Sequence, residues 1–249
     1  MNIISKNIKV SVIMPAYNCE SFISNSIESV LNQTHKDLEL IIINDGSTDN
    51  TSHIIKSFFD SRIKFINLNH NIGVAKARNK GLDMVTGQFI GFCDADDIWH
   101  LNKLENQLAL MKKTDSLVCH SDCRVIDENG NFIKNRAYPK LVTYEMMRHR
   151  NYICNSSAIY DSRKLGIFKQ KKIFHEDYLM WLSIMKVAKI SISYQSEALD
   201  YRSRQNSLSS QKFLSLIGSF KIQYTHGISI TEIVLNFFRN FYSRFLKKL

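Results

Sequence analysis

Short apolar runs alternate with amphipathic stretches through the first half of the chain. Lys9 to Met14 reads as a strand ended by Pro15, and Leu38 to Ile43 is a continuous apolar run of the kind a central parallel strand needs. Ile63 to Leu68 and Gln88 to Phe92 predict two more strands, and Ser116 to His120 a fifth. Between them, Phe22, Ile23, Ile27, Val30 and Leu31 recur at helical spacing, and Ile54, Ile55, Phe58 and Phe59 form a second apolar stripe. Val74 to Met84, entered through Gly73, and Leu101 to Met111 predict further helices. This alternation predicts an α/β fold with a mainly parallel central sheet and helices on both faces. Ligands of such sheets bind beyond the carboxyl ends of the strands. The loops at Pro15, Asp45 and Asp94 lie at that edge.

The second half is less regular. Asp127 to Gly130 reads as a turn between two antiparallel strands, Glu176 to Ala188 as a helix, and Ile190 to Tyr194 and Ala198 to Arg202 as short strands. The chain thus reads as a domain over 1–210 followed by a helical extension over 211–249. From Ile230 onward, Ile233, Val234, Phe237, Phe238, Phe241, Phe245 and Leu249 share one helical face, with Arg239, Arg244, Lys247 and Lys248 around the rest. A basic amphipathic helix suits an anionic membrane surface. Packing on the domain or on another subunit accounts for the same pattern, and both readings stay open.

Composition narrows the partners. At 249 residues and 44% hydrophobic content, a substantial core is available. Five cysteines without zinc-like pairing point to a reducing, cytoplasmic setting. Met1 to Lys9 shows no secretory leader pattern, and no apolar run approaches the ~18 residues of a spanning helix. A net charge of +10 calls for an anionic partner, such as a phosphorylated substrate, an anionic lipid or nucleic acid. No zinc-finger spacing, aromatic RNA-binding motif or early basic block supports nucleic acid.

The sharpest chemical signal is the run Phe89-Ile90-Gly91-Phe92-Cys93-Asp94-Ala95-Asp96-Asp97, a strand that ends in three carboxylates. Alternate residues of an extended chain share a face, so Asp94 and Asp96 can point the same way. Two such carboxylates suit Mg2+ or Mn2+, whose other ligands come from water and substrate phosphates. Turn formation and capping of the helix after about Leu101 explain the same residues, Asp97 above all.

Six segments in order resemble glycosyltransferase family 2: Val10 to Asn18, Asn44 to Asp49, Asn71 to Asn79, Asp94 to Asp97, His175 to Asp177, and Tyr201 to Ser207. The resemblance spans about residues 9–208 and implies a GT-A fold, Rossmann-like, with a nucleotide-binding half over 1–100 and an acceptor-binding half over 101–210. It implies an inverting transferase that moves a hexose or N-acetylhexosamine from a UDP-sugar to a glycan or lipid-linked glycan. Lipopolysaccharide, lipooligosaccharide or capsule synthesis at the inner face of the cytoplasmic membrane is the setting implied, and an oligomer is compatible with it. Pro15, Ala16 and Tyr17 are expected at the nucleotide, with Tyr17 against the base. Asp45 suits the imide N–H of uracil as an acceptor-only carboxylate, and an Asx-turn before Gly46 explains it equally. Arg78 is expected at the nucleotide or its phosphates, with an ion-paired arginine as the other reading.

By the same resemblance Asp96 holds Mn2+ or Mg2+, with Asp94 at the ribose and metal and Ala95 between them. Asp97 and Trp99 are placed at the donor-sugar pocket, although a core role suits Trp99 as well. Asp177 is the expected general base, Glu176 a residue that holds acceptor hydroxyls or supports it, and His175 a cap. Arg202, ahead of Arg204 and Ser207, is the expected ligand of the diphosphate, and a solvated basic loop explains the same residues equally. A nucleotide-sugar-binding protein without transfer is the alternative class, and the set Asp94, Asp96 and Asp177 speaks against it.

Overall fold

The computed structural model describes residues 8–204, 212–236 and 238. Its strands are β1 (Val10–Ala16), β2 (Leu38–Asn44), β3 (Ile63–Asn67), β4 (Phe89–Phe92), β5 (Ile98–Trp99), β6 (Val118–Ile126), β7 (Phe132–Arg136), β8 (Leu141–Thr143), β9 (Ile159–Asp161) and β10 (Ile190–Arg202). The helices are α1 (Ile23–Leu31), α2 (Thr51–Lys56), α3 (Val74–Leu82), α4 (Lys103–Thr114), α5 (Tyr144–His149), α6 (Ser162–Leu165), α7 (Glu176–Ala188) and α8 (Lys212–Thr225). One sheet runs β3-β2-β1-β4-β9-β6-β10-β5, with β7 beside β6 and β8 beside β10. The first four strands are mutually parallel, as the apolar runs predicted.

Pleating sends neighbouring residues of each strand to opposite faces. Val12 and Met14 of β1 therefore join the core under α1 and α4, while Ile13 between them packs under α3 and α7. All seven residues of β2 are buried, which is why its pattern is continuous rather than alternating. Pro15 does not end β1. The ladder to β4 stops at Ile13, so Pro15 faces a partner on one side only, where its missing N–H is tolerated.

Two differences from the residue pattern shape the second half. The three-residue β9 inserts antiparallel between β4 and β6. The two short strands expected over 190–202 form one strand of 13 residues, β10, which bends at register shifts between Tyr194 and Glu197 and between Glu197 and Asp200. Those bulges re-aim the strand so that its end lies beside the β4–β5 turn.

The C-terminal extension packs on the domain through one face. Arg148 of α5 donates to the carbonyls of His226 and Gly227 at 3.1 Å, and Gln223 Nε2 donates to His149 O. Gly218 lies so close to the turn before α7 that a Cβ there would sit 2.9 Å from Phe174 Cβ. Residues 230–236 are helical, with Ile233 and Asn236 buried. The expected face is thus split: Ile233 turns inward, while Val234 and Phe238 are exposed. Phe237, Phe241, Phe245, Leu249 and the basic residues from Arg239 onward lie outside the described residues, as do Gln205, Asn206 and Ser207.

Candidate functional site

The carboxyl ends of β1, β2 and β4 carry three loops that are bonded to one another. After β1, Asn18 takes φ 46°; its N–H donates to Ser47 Oγ at 3.0 Å and its Oδ1 accepts from Thr48 N at 2.9 Å. Tyr17 is left 47% exposed at this edge. Asp45 is 3% exposed. It accepts from the N–H groups of Ile72 and Gly73 at 2.8 and 2.9 Å, so it ties the β2 loop to the start of α3 rather than closing an Asx-turn at Gly46. Gly46 has φ 71°, and a Cβ there would meet His70 C at 2.5 Å.

The run after β4 turns through Asp97 N donating to Asp94 O. Asp94 N donates to Ser156 Oγ at 3.1 Å, and Ser26 Oγ holds Ala95 O at 2.9 Å. Asp94 and Asp96 keep 31% and 16% side-chain exposure. Asp97 is buried and is not a helix cap, since α4 starts only at Lys103 after Asn102. Its Oδ1 accepts from Arg202 N at 3.0 Å, so this carboxylate joins the turn to the end of β10 rather than facing a donor sugar. Burial, then the charges of Asp96 and Asp94, push its carboxyl well above the usual range. Trp99 belongs to the core and not to a donor pocket. It is 2% exposed, its indole N–H donates to Ser156 O at 3.0 Å, and Lys103 Nζ lies 4.0 Å from its ring.

Arg202, expected at the diphosphate, is fastened to backbone carbonyls, and Arg204 meets the Asp96 carboxylate. Arg202 is 7% exposed; its Nε donates to Asp96 O and its Nη1 to the carbonyls of Asp127 and Glu128, all at 3.0 Å. These bonds fasten β10 to the β4–β5 turn and to the β6–β7 turn. Arg204 pairs with the Asp96 carboxylate at 2.7 Å and is the less buried of the two. Both guanidinium groups lie over the ring of Phe22, at 4.8 and 5.6 Å. In the sequence Phe22 reads only as part of the α1 stripe, because nothing in its spacing separates a core aromatic from an arginine platform.

Arg78 takes the ion-paired form. Its side chain is 5% exposed and reaches Asp94 Oδ1 from Nη2 at 2.7 Å, and Glu176 Oε1 from Nη1 at 3.1 Å. Nη1 also lies 3.3 Å from Gln170 Oε1. Burial alone would lower the guanidinium pKa, but Asp94 and Glu176 outweigh it and the pKa ends higher than usual. Glu176, raised by burial against the pull of Arg78, and Asp177 form the first turn of α7. The helix dipole favours carboxylates at that end. His175 sits at the N-cap with φ 62°, but its side chain does not cap the helix. Ser156 and Gln170 carried no signal in the sequence, because isolated polar residues in irregular segments have no period.

The arrangement brings carboxylates and guanidinium groups together at the carboxyl edge of the sheet. Among the described residues no three His, Cys, Asp or Glu side chains are grouped to hold a metal. The pair Asp94 and Asp96 nevertheless fits Mg2+ or Mn2+, which bind through one or two carboxylates when phosphates and water complete the shell. Burial above all raises the Asp96 carboxyl, with Asp94 adding to it, against the pull of Arg204 and Arg202.

The family model described as "Glycosyl transferase family 2" matches residues 11–179. The chain is 39% identical over 211 residues to an Escherichia coli protein named UDP-Glc:alpha-D-GlcNAc-diphosphoundecaprenol beta-1,3-glucosyltransferase WfgD, covering 83% of this chain and 82% of that one. Among solved structures it resembles S. aureus TarS 1–349 in complex with UDP-GlcNAc, with a TM-score of 0.69 and 22% identity over 86% of this chain and 64% of that one. It also resembles the mannosyltransferase PcManGT from Pyrobaculum calidifontis in complex with GDP-Man and Mn2+, with a TM-score of 0.66 and 17% identity over 92% and 69% of the two chains.

Proposed function

The chain belongs to glycosyl transferase family 2, and on that premise we propose that it transfers a hexose or N-acetylhexosamine from a UDP-sugar to a lipid-linked glycan, with inversion at the anomeric carbon. The observation that carries this reading is the meeting of two half-sites. Loops after β1, β2 and β4 present Tyr17, Asp45, Asp94 and Asp96, and Arg78 ties Asp94 to the turn of α7 that bears Asp177. Tyr17 and Asp45, beside Pro15 and Ala16, receive the uridine. Arg204, with Arg202 fixing its backbone, faces the diphosphate. Asp96 and Asp94 hold Mn2+ or Mg2+, which supplies electrostatic stabilisation of the charge that builds on the departing UDP.

Asp177 takes the proton of the acceptor hydroxyl as it attacks the anomeric carbon. The C1–O bond to UDP breaks as the new glycosidic bond forms on the opposite face. Support for a lipid-linked acceptor comes from the name of the Escherichia coli relative, whose acceptor is a diphosphoundecaprenol-linked sugar. An acceptor of that kind supports a setting at the cytoplasmic face of the membrane, in surface-polysaccharide synthesis.

Asp177→Asn tests the assignment. Turnover of UDP-glucose with a GlcNAc-diphospho-lipid should fall by about 10³-fold, the middle of the range for loss of a general base. UDP binding measured by calorimetry with Mn2+ should stay within about twofold, since the base does not touch the nucleotide. Turnover near wild type would remove Asp177 from the role.

A further inference from the structure

We propose that Arg78 is a positioning residue that sets the catalytic turn of α7 against the donor carboxylates, and is not itself a ligand of the nucleotide. The proposal rests on the reading of Asp177 as base. Three observations carry it. First, both terminal nitrogens of the guanidinium are occupied: Nη2 by Asp94 at 2.7 Å, Nη1 by Glu176 at 3.1 Å and Gln170 at 3.3 Å. Second, those partners come from different parts of the chain. Asp94 follows β4, whereas Gln170 and Glu176 belong to the segment that leads into α7, more than 90 residues from Arg78. Third, the next residue repeats the attachment. Asn79 Nδ2 donates to Gln170 O at 2.8 Å, and Gln170 N donates to Asn79 Oδ1 at 2.7 Å.

The consequence is geometric. A guanidinium is planar and rigid, so two carboxylates on its two terminal nitrogens are held at a fixed spacing. Glu176 is the neighbour of Asp177 on one helical turn. Fixing Glu176 to Asp94 therefore fixes where Asp177 stands relative to the bound donor. Lysine in this place offers one mobile point charge and cannot set that spacing. Small misplacement of a reacting group lowers turnover steeply without weakening ground-state binding.

The test compares Arg78→Lys, Glu176→Gln and the double variant with wild type, using UDP-glucose and a GlcNAc-diphospho-lipid. Arg78→Lys keeps the charge in the buried cluster, and a melting temperature close to wild type establishes that it folds. The expected result is a fall in kcat of about 10- to 100-fold, with donor KM and the calorimetric Kd for UDP in Mn2+ changed less than threefold. Glu176→Gln should lose a similar amount, and the double variant should be no worse than the poorer single one. Two results overturn the proposal: a UDP Kd raised tenfold with kcat retained, which makes Arg78 a nucleotide ligand, or fully additive losses in the double variant. Asp177→Asn is run alongside. Retained turnover there removes the base, while the coupling between Arg78 and Glu176 is still judged by the cycle.

Discussion

Single residues in this protein show how far a charge can be buried when its partners are complete. Glu39 sits in β2, 2% exposed in a strand of isoleucines and leucines. Its carboxylate accepts from Ser11 Oγ, Thr86 N and Thr86 Oγ1, and pairs with Lys64 at 2.8 Å and Lys9 at 3.1 Å. Burial by itself would raise its pKa; Lys64, Ser11, Thr86 and Lys9 outweigh that and hold it down to about 2. A depressed carboxyl stabilises the fold at every pH above its unfolded value near 4.5. That contribution is lost as pH falls from about 4.5 towards 2. Glu39→Gln should therefore cost about 1–2 kcal/mol at pH 7, less than for a fully buried pair because both lysines are partly solvated. Urea denaturation at pH 7 and pH 3 checks this: the gap between variant and wild type should shrink at the lower pH, and a constant gap would contradict it.

At the level of elements, the connections matter more than the strands. The turn after β2 approaches the segment before α3 so closely that Gly46, at φ 71°, leaves no room for a side chain against the backbone of His70. Its neighbour Asp45 closes the same junction through the N–H groups of Ile72 and Gly73. Gly46→Ala should destabilise the protein by about 2 kcal/mol or more, combining left-handed strain with a backbone clash. UDP binding should weaken about tenfold, because the Asp45 loop must move; an unchanged Kd would free that loop from the uridine site.

The parallel half, β1 to β4, was legible because buried parallel strands and amphipathic helices carry strong periods. So was the order of the loops at its edge, with Asp45, Asp94 and Asp96. β9 was not legible, since three residues give no period and its place is set by β4 and β6 rather than by its own sequence. Nor were the roles of the two arginines. Two arginines two positions apart look alike in sequence, and only the end of β10 at Arg202 decides that Arg202 meets carbonyls while Arg204, just past the strand, meets Asp96.

In the molecule as a whole, the C-terminal helices turn one face to the domain and leave another exposed. One face of α8 and of the 230–236 helix packs on α5 and on the turn before α7. The other exposes Leu216, Ile217, Phe220 and Tyr224, then Ile230, Val234, Leu235 and Phe238. Residues 211–249 contain six Lys and Arg and one acid, Glu232. We propose that this face lies on an anionic bilayer, to which such a combination of apolar stripe and positive charge binds. Replacing Phe220, Ile230 and Val234 with serine should lower sedimentation with phosphatidylglycerol vesicles about tenfold and leave the melting temperature unchanged. Equal sedimentation of variant and wild type would remove the membrane role, and a monomer replacing a dimer would assign the face to a second copy. The order of strands has a consequence for the chain as it is made. The contacts that close the site join residues about 100 positions apart: Arg78 to Glu176, Asp97 to Arg202, and Asp96 to Arg202. No contiguous fragment that ends before Arg204 holds all of these contacts together with the Asp96–Arg204 pair, so they close only once β10 has been made, and a donor half released alone would keep Asp94 with Arg78 but carry Asp96 without Arg204.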